Sequence, residues 1–451
     1  MFLKFRKIFF ATCSVFISFS AWCETENQNQ INTTGYPYYT KTFQDAMQGT
    51  SEFGKYLNDN GVNYRGLALG ALFNNISTGV ELGETGGQAL FINAFDFNLD
   101  KLMNIPNTTI HTEMVMFPWH YPDDNSVEFG TYASSLLGGD QYPSHAPGFD
   151  PWMSLLTVEQ TLMNGQLNYE LGKTNIQRYF FTPTCGLDFF CTDPIMKWNT
   201  GVPDASTGSV GGRVKYLLND RWNVEFGAQQ MREYDALIEH RGWNIFETSD
   251  GIGTFYAGAL RYHAKDNPKT PDLYELNYYY ADSSVTNPLN VAQTHQGSSG
   301  VLFKFNKTLT TSEQDLNVKW FGALGKTFDS YKPVGYSTTQ GLSLHNPMKE
   351  PLFGSITLDQ VTAKVMYIHL NEKTLIAQRD LRQSLGGTDE MTNPNQFRFE
   401  LSTTLGLTKN IKFQPVIEYI LNPDSMMSRN SAKVPQSGWL AGAMLGITLG
   451  N

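Results

Sequence analysis

From Gly61 onward the chain alternates apolar and polar residues in steps of two, in segments of about ten residues, a period that belongs to β-strands and excludes a helical fold. In 439–449, Trp439, Ala441, Ala443, Leu445, Ile447 and Leu449 take one face, against Gly442, Gly446 and Thr448. In 221–230, Trp222, Val224, Phe226 and Ala228 oppose Asn223, Glu225, Gly227 and Gln229. In 410–421, Ile411, Phe413, Pro415, Ile417, Tyr419 and Leu421 oppose Lys412, Gln414 and Glu418, with Val416 as the exception. One face of each segment wants apolar surroundings and the other wants water.

Similar segments fall at 62–74, 87–98, 107–117, 153–162, 166–174, 208–217, 254–264, 271–281, 297–307, 314–325, 359–370 and 395–406, giving fifteen strands in all. Their connections alternate in length. Tight turns at Asn164-Gly165, Asn219-Asp220 and Thr408-Lys409 interleave with long Gly/Pro/Asn-rich stretches at 118–152, 175–207, 231–253, 282–296, 326–337, 371–394 and 422–438. If every tight turn lies on one rim, two strands must fit between 325 and 395, so a weak sixteenth is required near 338–348, where Thr339, Gly341, Ser343 and His345 alternate with Leu342 and Leu344. Sixteen strands, short turns on one rim and long loops on the other describe an all-β, transmembrane antiparallel barrel of the outer-membrane type.

Composition supports that reading. Only 17% of residues are charged, below the roughly 25% of soluble domains, while Phe (30) and Tyr (22) are abundant. Beyond residue 23 no apolar run approaches the ~20 residues of a spanning helix. Tyr216, Trp222, Tyr256, Tyr262, Tyr274, Tyr280, Trp320, Tyr419 and Trp439 sit near strand ends on the apolar face, where rings favour the headgroup level.

The N-terminus indicates export. Lys4, Arg6 and Lys7 precede an apolar run from Ile8 to Trp22, and polar residues follow Cys23, the layout of a cleaved signal peptide. Trp22 is too bulky to precede a lipid-modified cysteine, so the lipoprotein alternative is set aside. The expected organisation is a signal peptide at 1–23, a polar arm with a short helix at 24–60 and the barrel at 61–451. Loss of the three basic leader residues takes the formal charge from −10 to −13, which argues against nucleic acid as a partner. Two cysteines remain, Cys185 and Cys191, expected to form one disulfide in an oxidising compartment, with free thiols as the alternative. No zinc-type Cys/His spacing accompanies them, and no cofactor or metal is expected.

Several stretches resemble the carbohydrate-selective porins of Gram-negative outer membranes, the OprB type. Val158-Glu159-Gln160 followed by Gly165-Gln166-Leu167 and Leu171-Gly172-Lys173 is similar to that family's strand pair ending in Gly-Lys. The cysteine loop and Gly211-Gly212-Arg213-Val214-Lys215-Tyr216 follow in the family's order, as do Phe399-Glu400-Leu401 and Phe413-Gln414-Pro415 through Asn422-Pro423. The chain departs from barrels of this kind by finishing Ile447-Thr448-Leu449-Gly450-Asn451 rather than on an aromatic residue. The resemblance implies a sixteen-stranded channel passing mono- or oligosaccharides by diffusion, surrounded by outer-membrane lipid, as a monomer or a homotrimer.

A channel needs a polar lumen. The ionisable residues in phase with it are Arg65, Glu113, Glu159, Glu170, Lys173, Arg213, Lys215, Glu225, Arg261, Glu275, Lys304, Lys319, Arg398, Glu400, Lys412 and Glu418. Mixed signs suit neutral polyols, because they offer donors and acceptors without a field that selects ions. The expected constriction comprises Glu113, Glu159, Glu170, Arg213, Arg261 and Glu275, flanking a loop at 175–207 long enough to fold into the pore. The bland alternative is that these charges only knit the wall.

Enzymatic readings have little support. There is no Gly-x-Ser-x-Gly, His-Glu-x-x-His or Gly-Lys-Ser motif, and a carboxylate pair such as Glu113 and Glu159 does not by itself make a glycosidase. A general diffusion porin without sugar preference and a secreted or outer-membrane glycan-binding or glycan-hydrolysing β protein remain as alternatives.

Overall fold

The computed structural model describes residues 52–80, 82–121, 148–180, 193–202, 207–232, 251–264, 272–311, 317–348, 351–408, 410–425 and 431–450. The leader and the pair Cys185 and Cys191 lie outside the described residues.

Sixteen strands form a closed barrel in which each strand pairs with its neighbours in sequence and β1 pairs with β16. The first eight are β1 (Val62–Asn74), β2 (Thr85–Asn98), β3 (Thr108–Tyr121), β4 (Gly148–Leu162), β5 (Leu167–Thr174), β6 (Ser209–Leu217), β7 (Trp222–Arg232) and β8 (Gly251–His263). The rest are β9 (Leu273–Asn287), β10 (Asn290–Thr311), β11 (Asn317–Thr327), β12 (Val334–His345), β13 (Thr357–Leu370), β14 (Asn395–Gly406), β15 (Ile411–Leu421) and β16 (Gly438–Gly450). Among the described residues, four short α-helices accompany them: α1 (Glu52–Asp59), α2 (Leu99–Met103), α3 (Pro194–Asn199) and α4 (Glu372–Ser384). None is long and apolar enough to cross a membrane; the strands do.

Closure is antiparallel, with Arg65 opposite Gly450 and Asn74 opposite Ala441, so the sheet has no free edge. The weak sixteenth strand is β12, shifted a few residues earlier than its pattern suggested. One expected loop is absent. The stretch 282–296 continues the β9 and β10 ladder, with Thr286 opposite Thr294 and a turn at 288–289. At the turn between β4 and β5, Met163, Asn164 and Gly165 all take positive φ (53°, 52° and 91°), which explains the Asn-Gly found there.

The two faces of the wall are chemically distinct. Val158, Leu171, Val214, Phe226, Leu260, Leu276, Leu324, Leu342, Leu401 and Ile417 are exposed on the outside, where hydrocarbon takes the place of water. Aromatic rings form two bands. Trp222, Tyr262 and Tyr274 lie in succession at the short-turn rim, while Tyr256 with Tyr280 and Tyr419 with Trp439 mark the long-loop rim.

Candidate functional site

The β5–β6 connection packs its described parts, 175–180 and 193–202, against the inner face of the wall. It begins with a turn at Ile176–Arg178, whose end is capped by Asn175 Oδ1 accepting from the Gln177 amide at 2.9 Å. It then forms α3, where Pro194 fits the first helical position and Asp193 Oδ1 accepts from the amides of Ile195 and Met196 at 2.9 and 3.3 Å. At the far end Asn199 Nδ2 donates to Thr327 Oγ1 and to the Val334 carbonyl, both at 2.6 Å, and its Oδ1 accepts from the Val334 amide at 3.1 Å. The described parts of the connection are thus fixed to the β5 side of the barrel at one end and to β11 and β12 at the other.

Its seat is apolar. Ile176, Phe180, Ile195 and Met196 pack with Phe255, Ala257 and Ala259 of β8, Ala281 of β9, Leu302 of β10, Ala323 of β11 and Met366 and Ile368 of β13, joined by Leu375 of α4. The small inward alanines leave the room the loop occupies. Asp193 is buried there, and burial pushes its carboxyl up to about 6 against the lowering pull of the Met196 and Ile195 amides and of Lys304.

Beneath the loop runs one continuous chain of ion pairs. Arg65 of β1 pairs with Asp96 of β2 at 2.8 Å. Asp96 and Glu159 of β4 both contact His111 of β3, at Nδ1 (2.8 Å) and Nε2 (2.9 Å); with both carboxyls ionised, the two contacts are donated hydrogen bonds at once only when the ring carries two protons. Glu159 then meets Arg213 of β6 at 3.2 Å, and Arg213 also reaches Glu170 of β5 at 3.5 Å and Glu225 of β7 at 3.2 Å. Glu225 is shared with Arg261 of β8, Arg261 pairs with Glu275 of β9, and Glu275 takes Lys304 of β10 at 3.2 Å. Signs alternate along the chain, which lets the charges stay buried because each is paired.

The six residues expected at the constriction lie together. Glu159, Glu170, Arg213, Arg261 and Glu275 are members of the chain, and Glu113 adjoins it by binding Arg178 of the loop, with Ser154 Oγ donating to the same carboxylate at 2.6 Å. All six are no more than 6% exposed. The loop is their cover: Arg261 donates to the Tyr179 carbonyl, the Arg213 guanidinium lies 4.9 Å from the Tyr179 ring, and that of Arg261 lies 5.6 Å from the Phe180 ring. The arrangement therefore fixes the loop's height in the lumen and concentrates alternating charge around it.

Asp96 and His111 complete the chain and were absent from the sequence-derived set. Each occupies the inward phase, Asp96 between Phe95 and Phe97 and His111 between Ile110 and Thr112, so the alternation itself carried the signal. Gly172, in the Gly-Lys end of β5, has φ 147°, and a Cβ there would run into the Leu156 carbonyl of β4. The glycine lets β5 lie tight against β4 where the loop departs.

The sequence profile described as "Carbohydrate-selective porin, OprB family" matches residues 90–434, from β2 to the connection before β16. No curated protein matches the sequence. Among solved structures, the high-pH structure of Pseudomonas putida OprB aligns with a TM-score of 0.73 at 15% identity, covering 89% of this chain and 98% of that one. The low-pH structure of the same protein aligns at 0.51 and 13% identity, with the same coverage. At these identities the structures establish the shared barrel fold, and the family match covers nearly all of the wall. The chain belongs to the carbohydrate-selective porin family of the OprB type, and is a sugar-selective diffusion channel of the outer membrane rather than an enzyme.

Proposed function

We propose that the β5–β6 loop is the constriction of this porin and that Glu113, Glu159, Glu170, Arg213, Arg261 and Glu275 hold it at the height where solutes are sorted. The observation that carries the reading is the double attachment of the loop, to Glu113 and Arg261 near its start and to Thr327 and Val334 at its end. A segment fixed at both ends narrows the pore without closing it. The solutes are neutral mono- or oligosaccharides: the charges under the loop alternate in sign, so they offer polar surroundings with little net field. Lipid covers the exposed apolar band, and residues 1–23 serve export.

Liposome swelling with the purified chain tests this. Entry that falls with sugar size, shows no turnover and loses its discrimination in Arg261→Met supports a loop-based constriction. Unchanged discrimination in Arg261→Met and Arg178→Ala alike would remove the loop and its anchors from the sorting step.

A further inference from the structure

One pleat closer to the short-turn rim lies a second polar layer. Asn168 of β5, Lys215 of β6, Asn223 of β7 and His263 of β8 share the inward phase of Glu170, Arg213, Glu225 and Arg261, each two residues nearer that rim. The register places Asn168 opposite Lys215, Lys215 opposite Glu225 and Asn223 opposite Arg261, so the four form a slanting row across adjacent strands.

This layer is not saturated. Asn168 Nδ2 donates to Glu159 Oε1 at 2.8 Å and Thr161 Oγ1 at 2.9 Å, which fixes the amide's orientation and leaves its Oδ1 buried without a partner. Asn223 Oδ1 is likewise buried and unpartnered. Glu225, across from Lys215, is already held by Arg213 and Arg261. Lys215 and His263 are half-buried, and among the described residues neither side chain makes a hydrogen bond or ion pair.

We propose that Asn168, Lys215, Asn223 and His263 form a hydroxyl-binding subsite for neutral sugars on the short-turn side of the constriction. Lys215 and His263 touch the solute, and the two asparagines form the floor. The floor lacks donors and Lys215 lacks acceptors; vicinal hydroxyls supply both at once. An anion would meet the amide oxygens and the nearby carboxylates, and a cation would meet the ammonium, so the layer favours uncharged polyols. The inference rests on the family's sugar-channel activity and adds a place where the sugar pauses.

The test is sugar block of ion current through the purified full chain in a planar lipid bilayer, with glucose and maltose as probes. Lys215→Met is expected to raise the half-blocking concentration about fivefold and His263→Leu about threefold, the loss of one hydrogen bond each. The change is larger for sugar added on the short-turn side, and Lys215→Arg restores block. Lys215→Ala gives the same reading should Lys215→Met fail to assemble, and heat-modifiable electrophoretic mobility reports assembly. Unchanged block in Lys215→Ala and His263→Leu, with only ion selectivity altered, overturns the subsite while leaving the sugar channel standing. A wild-type channel that neither sugar blocks overturns both.

Discussion

Between β1 and β10 the inward charges are joined strand to strand from Arg65 to Lys304, whereas from β13 to β15 they form two pairs, Lys364 with Glu400 at 2.6 Å and Arg398 with Glu418 at 3.0 Å. Where β15, β16 and β1 close the barrel, part of the inner face is apolar, with Ala71, Phe73, Val416, Ile420 and Leu440 in contact. Both arrangements support a complete ladder of strand pairing. The difference is that the linked chain supplies Arg261 to the loop and lies beside the Glu113 anchor. Linked charges are thus associated with holding a segment inside the lumen.

The sharpest way to break the comparison is Arg261→Met. Glu225, Glu275 and the Tyr179 carbonyl each lose a donor together, Glu225 keeping Arg213 and Glu275 keeping Lys304, and removing one partner of a buried ion pair costs roughly 3–5 kcal/mol. The barrel still assembles, because strand pairing is untouched. The loop's start is released, so ion conductance rises severalfold and discrimination between a monosaccharide and a trisaccharide in liposome swelling is lost. Wild-type conductance and discrimination in this variant would show that the chain of charges has no part in placing the loop.

Arg178→Ala should have an intermediate effect. It removes the loop's own cation from Glu113, which retains Ser154, but leaves the contact of Arg261 with Tyr179 in place. Conductance is expected to rise less than twofold, with a modest loss of sugar discrimination in the same swelling assay. An effect equal to that of Arg261→Met would mean that the two anchors act as one unit.

Much of this architecture was legible in the chain because lipid and water impose opposite demands on alternate residues. The segment read as 62–74 is β1 to the residue, and 395–406 is β14. The pattern failed at 282–296, since Ser283, Ser284, Thr286 and Thr294 extend the hairpin above the lipid, where no apolar face is needed and binary patterning loses its meaning. In the site, Glu159, Glu170, Arg213, Arg261 and Glu275 were legible from phase alone. Their mutual pairing was not, because register across strands depends on barrel closure. The loop's seat was also hidden: Ala257, Ala259, Ala281 and Ala323 read as unremarkable inward residues until the loop fills the space they leave.

A smaller effect follows from Asp193. Its carboxyl is raised to about 6 by burial in the seated loop, above the ordinary value of 3.8, so the seated state binds a proton more readily than the released state. The seat is therefore strongest below about pH 4 and weakens as pH rises through about 6, by on the order of 3 kcal/mol. Channel current should show more frequent transient openings of the constriction at pH 8 than at pH 5. Asp193→Asn keeps a cap for α3 and removes the charge, so its current noise should be the same at both pH values.

The smallest transport effect is expected on the other half of the wall. Arg398→Met leaves the Glu418 carboxylate buried without its cation, and this loss is comparable to that at Arg261 in free energy. Arg398 lies on β14 between β13 and β15, away from the strands that carry Glu113 and Arg261, and it also donates to Met366 Sδ at 3.7 Å. Its thermal unfolding in detergent should therefore fall with that of Arg261→Met, while conductance and sugar discrimination stay within twofold of wild type. Equal destabilisation with unequal transport separates a charge that holds the wall from one that holds the loop. If Arg398→Met altered discrimination as strongly as Arg261→Met, transport would depend on the stability of the barrel as a whole, and the distinction between linked and paired charges would have no functional content.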